Sequence, residues 1–106
     1  MSIIPVMVTG VGGPAGVAVV KSLLKQNELE LRIIVADMNP LSAGLYLGHR
    51  SYILPAAADS SFPSSVVDIC RQEGIRVLIP TVDAESFVLA QNKEKFEELG
   101  VVLTIS

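Results

Sequence analysis

The sequence predicts an α/β domain of three layers, in which helices cover both faces of a five-stranded parallel sheet with strand order 3-2-1-4-5. Short segments rich in Val and Ile alternate with amphipathic segments, which is the pattern of repeated strand–helix–strand units. Half of the 106 residues are apolar and only 18% are charged, as expected where strands are buried on both faces. Right-handed crossovers then place strand 1 in the middle, with the direction of travel reversing beside it.

Five segments have the composition of strands, because each is short, rich in β-branched residues and bounded by Gly, Pro or Asp. In chain order they are Ile3–Thr9, Leu31–Asp37, Tyr52–Leu54, Ile75–Pro80 and Val101–Ile105. No repeat, low-complexity tract or linker interrupts them, so we expect one domain over 1–106.

The segments between the strands carry helix signals. Ser65 opens the Ser-x-x-Asp pattern of a capping box, and Gly74 follows as a helix-ending glycine. Asn92 can separate and cap two consecutive helices, and a short helix can follow the turn signal within Leu41–Gly48. The four predicted helices are Pro14–Asn27, Ser65–Glu73, Asp83–Gln91 and Lys93–Leu99.

Composition excludes several classes of protein. The net charge is −3 and the eight Lys and Arg residues are scattered, so we expect no nucleic-acid partner. The mean hydropathy is high, at +0.53, yet no apolar run reaches the roughly 18–20 residues that span a bilayer. The single cysteine, Cys70, excludes an internal disulfide and fits a small core residue in a reducing cytoplasm. Metal-ligand spacings are absent, so no metal site is predicted.

A glycine-rich loop follows the first strand. Gly10, Gly12 and Ala15 match the G-x-G-x-x-A pattern between a strand and a helix, and Asp37 ends the second strand. Three interpretations remain open. Backbone N–H groups of the loop contact a phosphate or a substrate, or the loop binds NAD(H) with Gly10, Gly12 and Asp37 as the cofactor-binding residues. Otherwise, glycine only allows the strand and the helix to pack closely.

An acidic loop follows the fourth strand, and it meets the glycine loop at the switch point where parallel sheets bind ligands. Asp83 and Glu85 stand at the start of a helix. Either Asp83 caps the helix and Glu85 complements its dipole, or a carboxylate here receives a cationic or hydroxyl-bearing substrate. Before the third strand, His49 and Arg50 form a solvated basic edge or contact an anion at the crevice.

Several blocks of the sequence resemble the N-terminal, Rossmann-like "pre-ATP-grasp" domain of ATP-grasp ligases, and are most similar to proteins labelled carbamoyl-phosphate-synthase large-subunit-like. The blocks keep the family's order and span essentially the whole chain. They are Val8–Gly16, Asp37–Tyr46, Tyr52–Pro55, Ile79–Glu85 and Asn92–Gly100.

The resemblance implies the N-terminal part of a longer carboxylate–amine or carboxylate–ammonia ligase. In that family, MgATP activates a carboxylate as an acyl phosphate, and an ATP-binding module downstream holds ATP and Mg²⁺. This chain would then hold no cofactor and no catalytic residue, and would be inactive alone. The positions that match substrate-facing loops are Gly12, Gly13, Asp83 and Glu85, and the expected ligand is a small carboxylate or amine. The alternatives are a freestanding NAD(P)-binding module and a structural domain for docking or homodimerisation.

Overall fold

The computed structural model describes residues 2–105 and shows a single five-stranded parallel sheet of order β3-β2-β1-β4-β5. The predicted α/β, Rossmann-like fold is confirmed. The strands are β1 (Ile4–Thr9), β2 (Leu31–Asp37), β3 (Arg50–Ile53), β4 (Val77–Pro80) and β5 (Val102–Leu103). The helices are α1 (Pro14–Lys25), α2 (Phe62–Glu73), α3 (Asp83–Gln91), α4 (Lys93–Glu98) and a 3₁₀ helix (Ala43–Tyr46). Met1 and Ser106, at the ends of the predicted domain, lie outside the described residues.

The core lies on both faces of the sheet because successive side chains of a strand point to opposite sides. In β1, Val6 and Val8 pack towards α1 and the 3₁₀ helix, together with Val20 of α1. Met7 points the other way, into a larger cluster with α2, α3 and α4 that includes the fully buried Phe96. Burying an aliphatic or aromatic side chain of this size contributes about 1.5–3 kcal/mol.

The start of α2 differs from the prediction. The helix begins at Phe62, so Ser65 lies inside its first turn and the predicted capping box is wrong. A turn at Asp59 precedes the helix instead. In this turn, Asp59 Oδ1 accepts hydrogen bonds from the N–H (2.8 Å) and the hydroxyl (2.7 Å) of Ser61. The predicted end is confirmed: Gly74 adopts φ +64°, the left-handed conformation that glycine allows.

Strand bounds follow the pairing rather than the composition. β4 begins at Val77, opposite Val6 of β1, while the preceding Ile75 packs in the core as part of the connection. Asn92 occupies the predicted junction between α3 and α4, but its side chain donates to Val88 O (2.9 Å) at the end of α3 and does not cap α4.

A buried carboxylate connects the amino-terminal ends of β2 and β3 to α2. Glu73, whose side chain is 4% exposed, accepts from Arg32 Nη1 (2.8 Å), Arg50 Nε (3.0 Å) and the Tyr52 hydroxyl. Burial opposes ionisation of Glu73, but Tyr52 and the two guanidinium groups outweigh it and lower its pKa. Arg50 begins β3, at the end of the sheet opposite the crevice loops. Of the two interpretations given for Arg50, the contact with an anion in the crevice is therefore wrong.

The α1 face of the sheet is covered unevenly. An open groove of about 550 Å³ lies beside β4 and β5, and Val19, Ile79, Leu103 and Ile105 are among its lining residues. None of the helices within residues 2–105 is long and apolar enough to cross a bilayer.

Candidate functional site

The glycine loop and the loop after β4 meet at the carboxyl ends of β1 and β4, the two strands that flank the switch point. The glycine loop is held by its own backbone. The N–H groups of Gly10 and Val11 both donate to Ala36 O of β2, at 2.9 and 3.3 Å, and Gly13 N–H donates to Gly10 O at 3.2 Å. Gly10 adopts φ +78°, which side-chain-bearing residues rarely do.

Some donors of this loop remain free. Pro14 has no N–H, and within residues 2–105 the N–H groups of Gly12 and Ala15 have no backbone acceptor. These two groups lie at the start of α1, where the helix dipole is positive. The loop therefore keeps donors that can face a ligand, and the predicted contacts of Gly12 and Gly13 with substrate remain predictions.

Asp37 closes the crevice from the β2 side. Its Oδ2 accepts hydrogen bonds from the Ser42 hydroxyl and from Asn39 N–H (3.2 Å). Gly12 packs directly on this pair, because a Cβ at Gly12 would lie 2.5 Å from Asp37 Oδ2 and 2.6 Å from Ser42 Oγ. Glycine is thus required here by close packing, and one oxygen of Asp37 is committed to its own loop.

The two acidic residues of α3 have different surroundings. Val82 is the N-cap and Asp83 the first helical residue, so the interpretation of Asp83 as a capping residue is wrong. Residues two positions apart on a helix point to nearly opposite sides. Asp83 is accordingly exposed, whereas Glu85 is 5% exposed and faces the glycine loop. Of the predicted pair, Glu85 lies against the glycine loop and Asp83 is exposed to solvent, and their predicted contacts with substrate remain predictions.

Glu85 is a buried carboxyl group whose neighbours compensate for its burial only in part. Within residues 2–105, neither Glu85 Oε1 nor the nearby Thr9 Oγ1 has a well-aligned hydrogen-bond partner, and both atoms are buried. Burial raises the pKa of Glu85, the proximity of the Thr9 hydroxyl lowers it in part, and the charge of Asp37 raises it further. A group with these surroundings favours a ligand that brings a hydrogen-bond donor or a positive charge.

A hydroxyl joins the two loops. Thr81 Oγ1 donates to Thr9 O at 2.7 Å and lies 3.3 Å from Gly10 O. Thr81, Thr9 and Ser42 were not among the predicted site residues, although Thr9 and Thr81 are hydroxyl residues at the ends of the two strands that flank the switch point. The structure thus brings together Gly10, Gly12, Asp37 and Glu85, with Asp37 at the end of β2 and Glu85 in the first turn of α3.

The residues of the crevice do not fit MgATP. Neither the glycine loop, 10–14, nor the loop 80–85 contains Lys or Arg, and polyphosphate chemistry depends on positioned cations. No group of three or more His, Cys, Asp or Glu within residues 2–105 is arranged to hold a metal ion.

Comparison with known proteins gives one family. A family model described as "PylC-like, N-terminal domain" matches residues 6–104. None of the curated proteins matches the chain. Among solved structures, a dodecameric FMN-dependent UbiX-like decarboxylase from Escherichia coli O157:H7 is similar at 17% identity and a TM-score of 0.47, over 96% of this chain and 79% of that one. This similarity is too weak to indicate a shared function.

Proposed function

The chain belongs to the PylC-like N-terminal domain family, a pre-ATP-grasp ligase family, and from this premise we propose that it is the substrate-side domain of an ATP-grasp ligase. The resemblance to ATP-grasp ligases predicted from the sequence is confirmed at the level of the family. The family's description as an N-terminal domain implies a linked ATP-grasp module in the same chain. The match over residues 6–104 is the observation that carries the proposal.

The proposal divides the work between two modules. The linked module holds ATP and Mg²⁺ and forms the acyl phosphate, while this chain holds the substrate and is inactive alone. Here the Glu85 carboxyl accepts a hydrogen bond from an ammonium or hydroxyl group of the substrate. The free N–H groups of Gly12 and Ala15 are available to a substrate oxygen. The groove beside β4 and β5 is the proposed contact surface for the linked module, because apolar side chains such as Val19, Ile79 and Leu103 line it.

The charges of the crevice favour an amine over an anion next to Glu85. Two unit charges about 4 Å apart interact by about 4 kcal/mol at an effective dielectric constant of roughly 20. Asp37 and Glu85 therefore repel a phosphate or carboxylate placed between them and attract an ammonium group. The narrower resemblance, to carbamoyl phosphate synthase large subunits, adds the proposal that ammonia or an amine is the nitrogen donor. A reducing cytoplasm, suggested by the single cysteine, remains part of this proposal.

Neither alternative gains support from the crevice. A dinucleotide site would use Asp37 for the ribose, but Oδ2 of Asp37 already accepts from Ser42 and Asn39. No observation favours a purely structural dimer over a docking surface for the linked module.

Titration of the ¹⁵N-labelled 106-residue chain with methylammonium, acetate and NADH tests the proposal. We expect methylammonium to shift the amide signals of Gly12 and Glu85 with millimolar affinity, about −4 kcal/mol, and Glu85→Gln to abolish the effect. Asp83→Asn, which removes an exposed charge from the same helical turn, is the matched control and should leave binding intact. Micromolar binding of NADH that is lost in Asp37→Asn would replace the ligase assignment by a dinucleotide one.

An ADP-release assay covers the second half of the proposal. The chain alone should release no ADP from MgATP with any of the amines. Turnover by residues 1–106 alone would show that the catalytic machinery has been assigned to the wrong module.

A further inference from the structure

Thr81 is the side chain that connects the two loops of the crevice by hydrogen bonding. Its hydroxyl donates to Thr9 O (2.7 Å), with Gly10 O at 3.3 Å, so one proton reaches carbonyl groups 72 and 71 positions earlier in the chain. Thr81 is half-buried, at the point where the chain leaves β4. A hydroxyl in this position can fix how far the two loops stand apart.

The Thr81 hydroxyl lies against Gly10, which has the least common backbone conformation in the glycine loop. Gly10 adopts φ +78°, and a Cβ there would lie 2.6 Å from both Thr81 Oγ1 and Val82 Cγ2. Glu85 Oε1 would lie 3.4 Å from the same Cβ. The loop after β4 and the Glu85 carboxyl therefore pack on one glycine, and Thr81 holds that packing from the side of β4.

We propose that Thr81 is a positioning residue of the crevice: by hydrogen bonding to the end of β1, it holds the glycine loop against Glu85. It acts on a ligand only through Gly10 and Glu85. The use of this positioning for ligand binding rests on the proposed function, but the effect of Thr81 on the glycine loop does not. Hydrogen exchange and carboxyl titration measure the structural effect without ATP or substrate, and a negative result would leave the ligase assignment standing.

Thr81→Val removes the hydroxyl with little change of shape, and Thr104→Val is the matched control. Thr104 Oγ1 also donates to a strand carbonyl, Leu78 O at 3.3 Å, but on the β5 side. Hydrogen exchange of the Gly10 and Val11 amides should accelerate about fivefold in Thr81→Val, as expected for one lost hydrogen bond. Thr104→Val should leave these two amides unchanged, and Thr81→Ser should restore the original rate.

A second readout follows the carboxyl group itself. In ¹³C-labelled protein, loosening of the loop should hydrate Glu85 and move its titration midpoint towards the ordinary value in Thr81→Val, but not in Thr104→Val. A merely stabilising hydroxyl would not shift that midpoint. If Thr81→Val does not fold, Thr81→Ala removes the same proton without adding a methyl group beside Gly10. Unchanged exchange and unchanged Glu85 titration in either folded variant would overturn the proposal, as would equal effects in Thr104→Val.

Discussion

Replacing Glu85 by Gln should make the domain more stable at neutral pH, although it removes a residue of the crevice. Glu85 is 5% exposed and its Oε1 has no well-aligned hydrogen-bond partner within the described residues, and the nearby Thr9 hydroxyl offsets its burial only in part. Leaving a buried polar group unsatisfied costs about 1–3 kcal/mol, and a charged group costs more than a neutral one. Gln keeps the shape and loses the charge, so we expect a gain of about 1–2 kcal/mol at pH 7.5.

The gain should depend on pH in one direction. The pKa of Glu85 is raised above its usual 4.5 in the folded chain, so between these two values the folded state binds a proton that the unfolded state has lost. Wild-type stability therefore falls as the pH rises through this window and stays lower above it. Glu85→Gln lacks this fall, and the two proteins should have nearly equal stability at pH 4.

Thermal unfolding followed by circular dichroism at pH 4, 5.5 and 7.5 measures the effect. For a domain of this size, about 1 kcal/mol corresponds to a change in Tm of roughly 4 °C, so Tm should rise by about 4–8 °C at pH 7.5. Asp83→Asn is the control, because it loses a favourable charge at the helix start and should lower stability by about 0.3–1 kcal/mol. A Glu85→Gln protein less stable than wild type at pH 7.5, or a difference that persists at pH 4, would refute the reasoning.

The core and the loops give three further predictions. Burial raises the pKa of the Cys70 thiol to about 12. A thiol-specific reagent at pH 8 should therefore label Cys70 only as fast as the domain unfolds, and rapid labelling of the folded domain would contradict this. Glu73→Gln should cost about 1–3 kcal/mol in urea unfolding at pH 7, because two arginines lose their carboxylate. Since the pKa of Glu73 is lowered, this cost should disappear as the pH falls through the lowered value, and a cost independent of pH would count against the ion pairs. Gly12→Ala should lower the free energy of unfolding by about 1–3 kcal/mol, because the added Cβ would lie 2.5 Å from Asp37 Oδ2. A Cβ added at Gly13 has no neighbour closer than 3.9 Å, so Gly13→Ala should change that free energy by less than about 0.5 kcal/mol. Equal effects of the two glycine variants in the same urea assay would contradict that packing.

The strand order could be predicted because it depends on a regular alternation and on the handedness of crossovers, which every part of the chain obeys. The capping residues of the helices could not be predicted, because several polar residues near a helix start compete for the same N–H groups. Ser65 matched a capping pattern, but Asp59 and Ser61 form the turn that starts α2 three residues earlier. A one-turn difference of this kind depends on local hydrogen bonds that composition does not distinguish.

The candidate site could be predicted as a region but not as a set of contacts. Gly10, Gly12 and Asp37 follow from the loop pattern and from the end of a strand. Which of the two acids points inward depends on where α3 begins, and a shift of one residue rotates both side chains by about 100°. The hydroxyl contact of Thr81 joins residues 72 positions apart. A hydroxyl residue at a strand end can be read from the sequence, but no local pattern shows which distant carbonyl group it contacts.

That separation has a consequence for how the chain folds. β1 and β2 can pair early, since a single helix connects them. β1 and β4 can pair only after the residues up to Pro80 have been made and the long segment between the two strands has closed into a loop. A nascent chain that has emerged only as far as β3 already contains the glycine loop but lacks the acidic wall of the crevice. The complete crevice therefore forms late in folding, and a ligand that needs both walls stabilises only the finished domain, not its partly folded precursors.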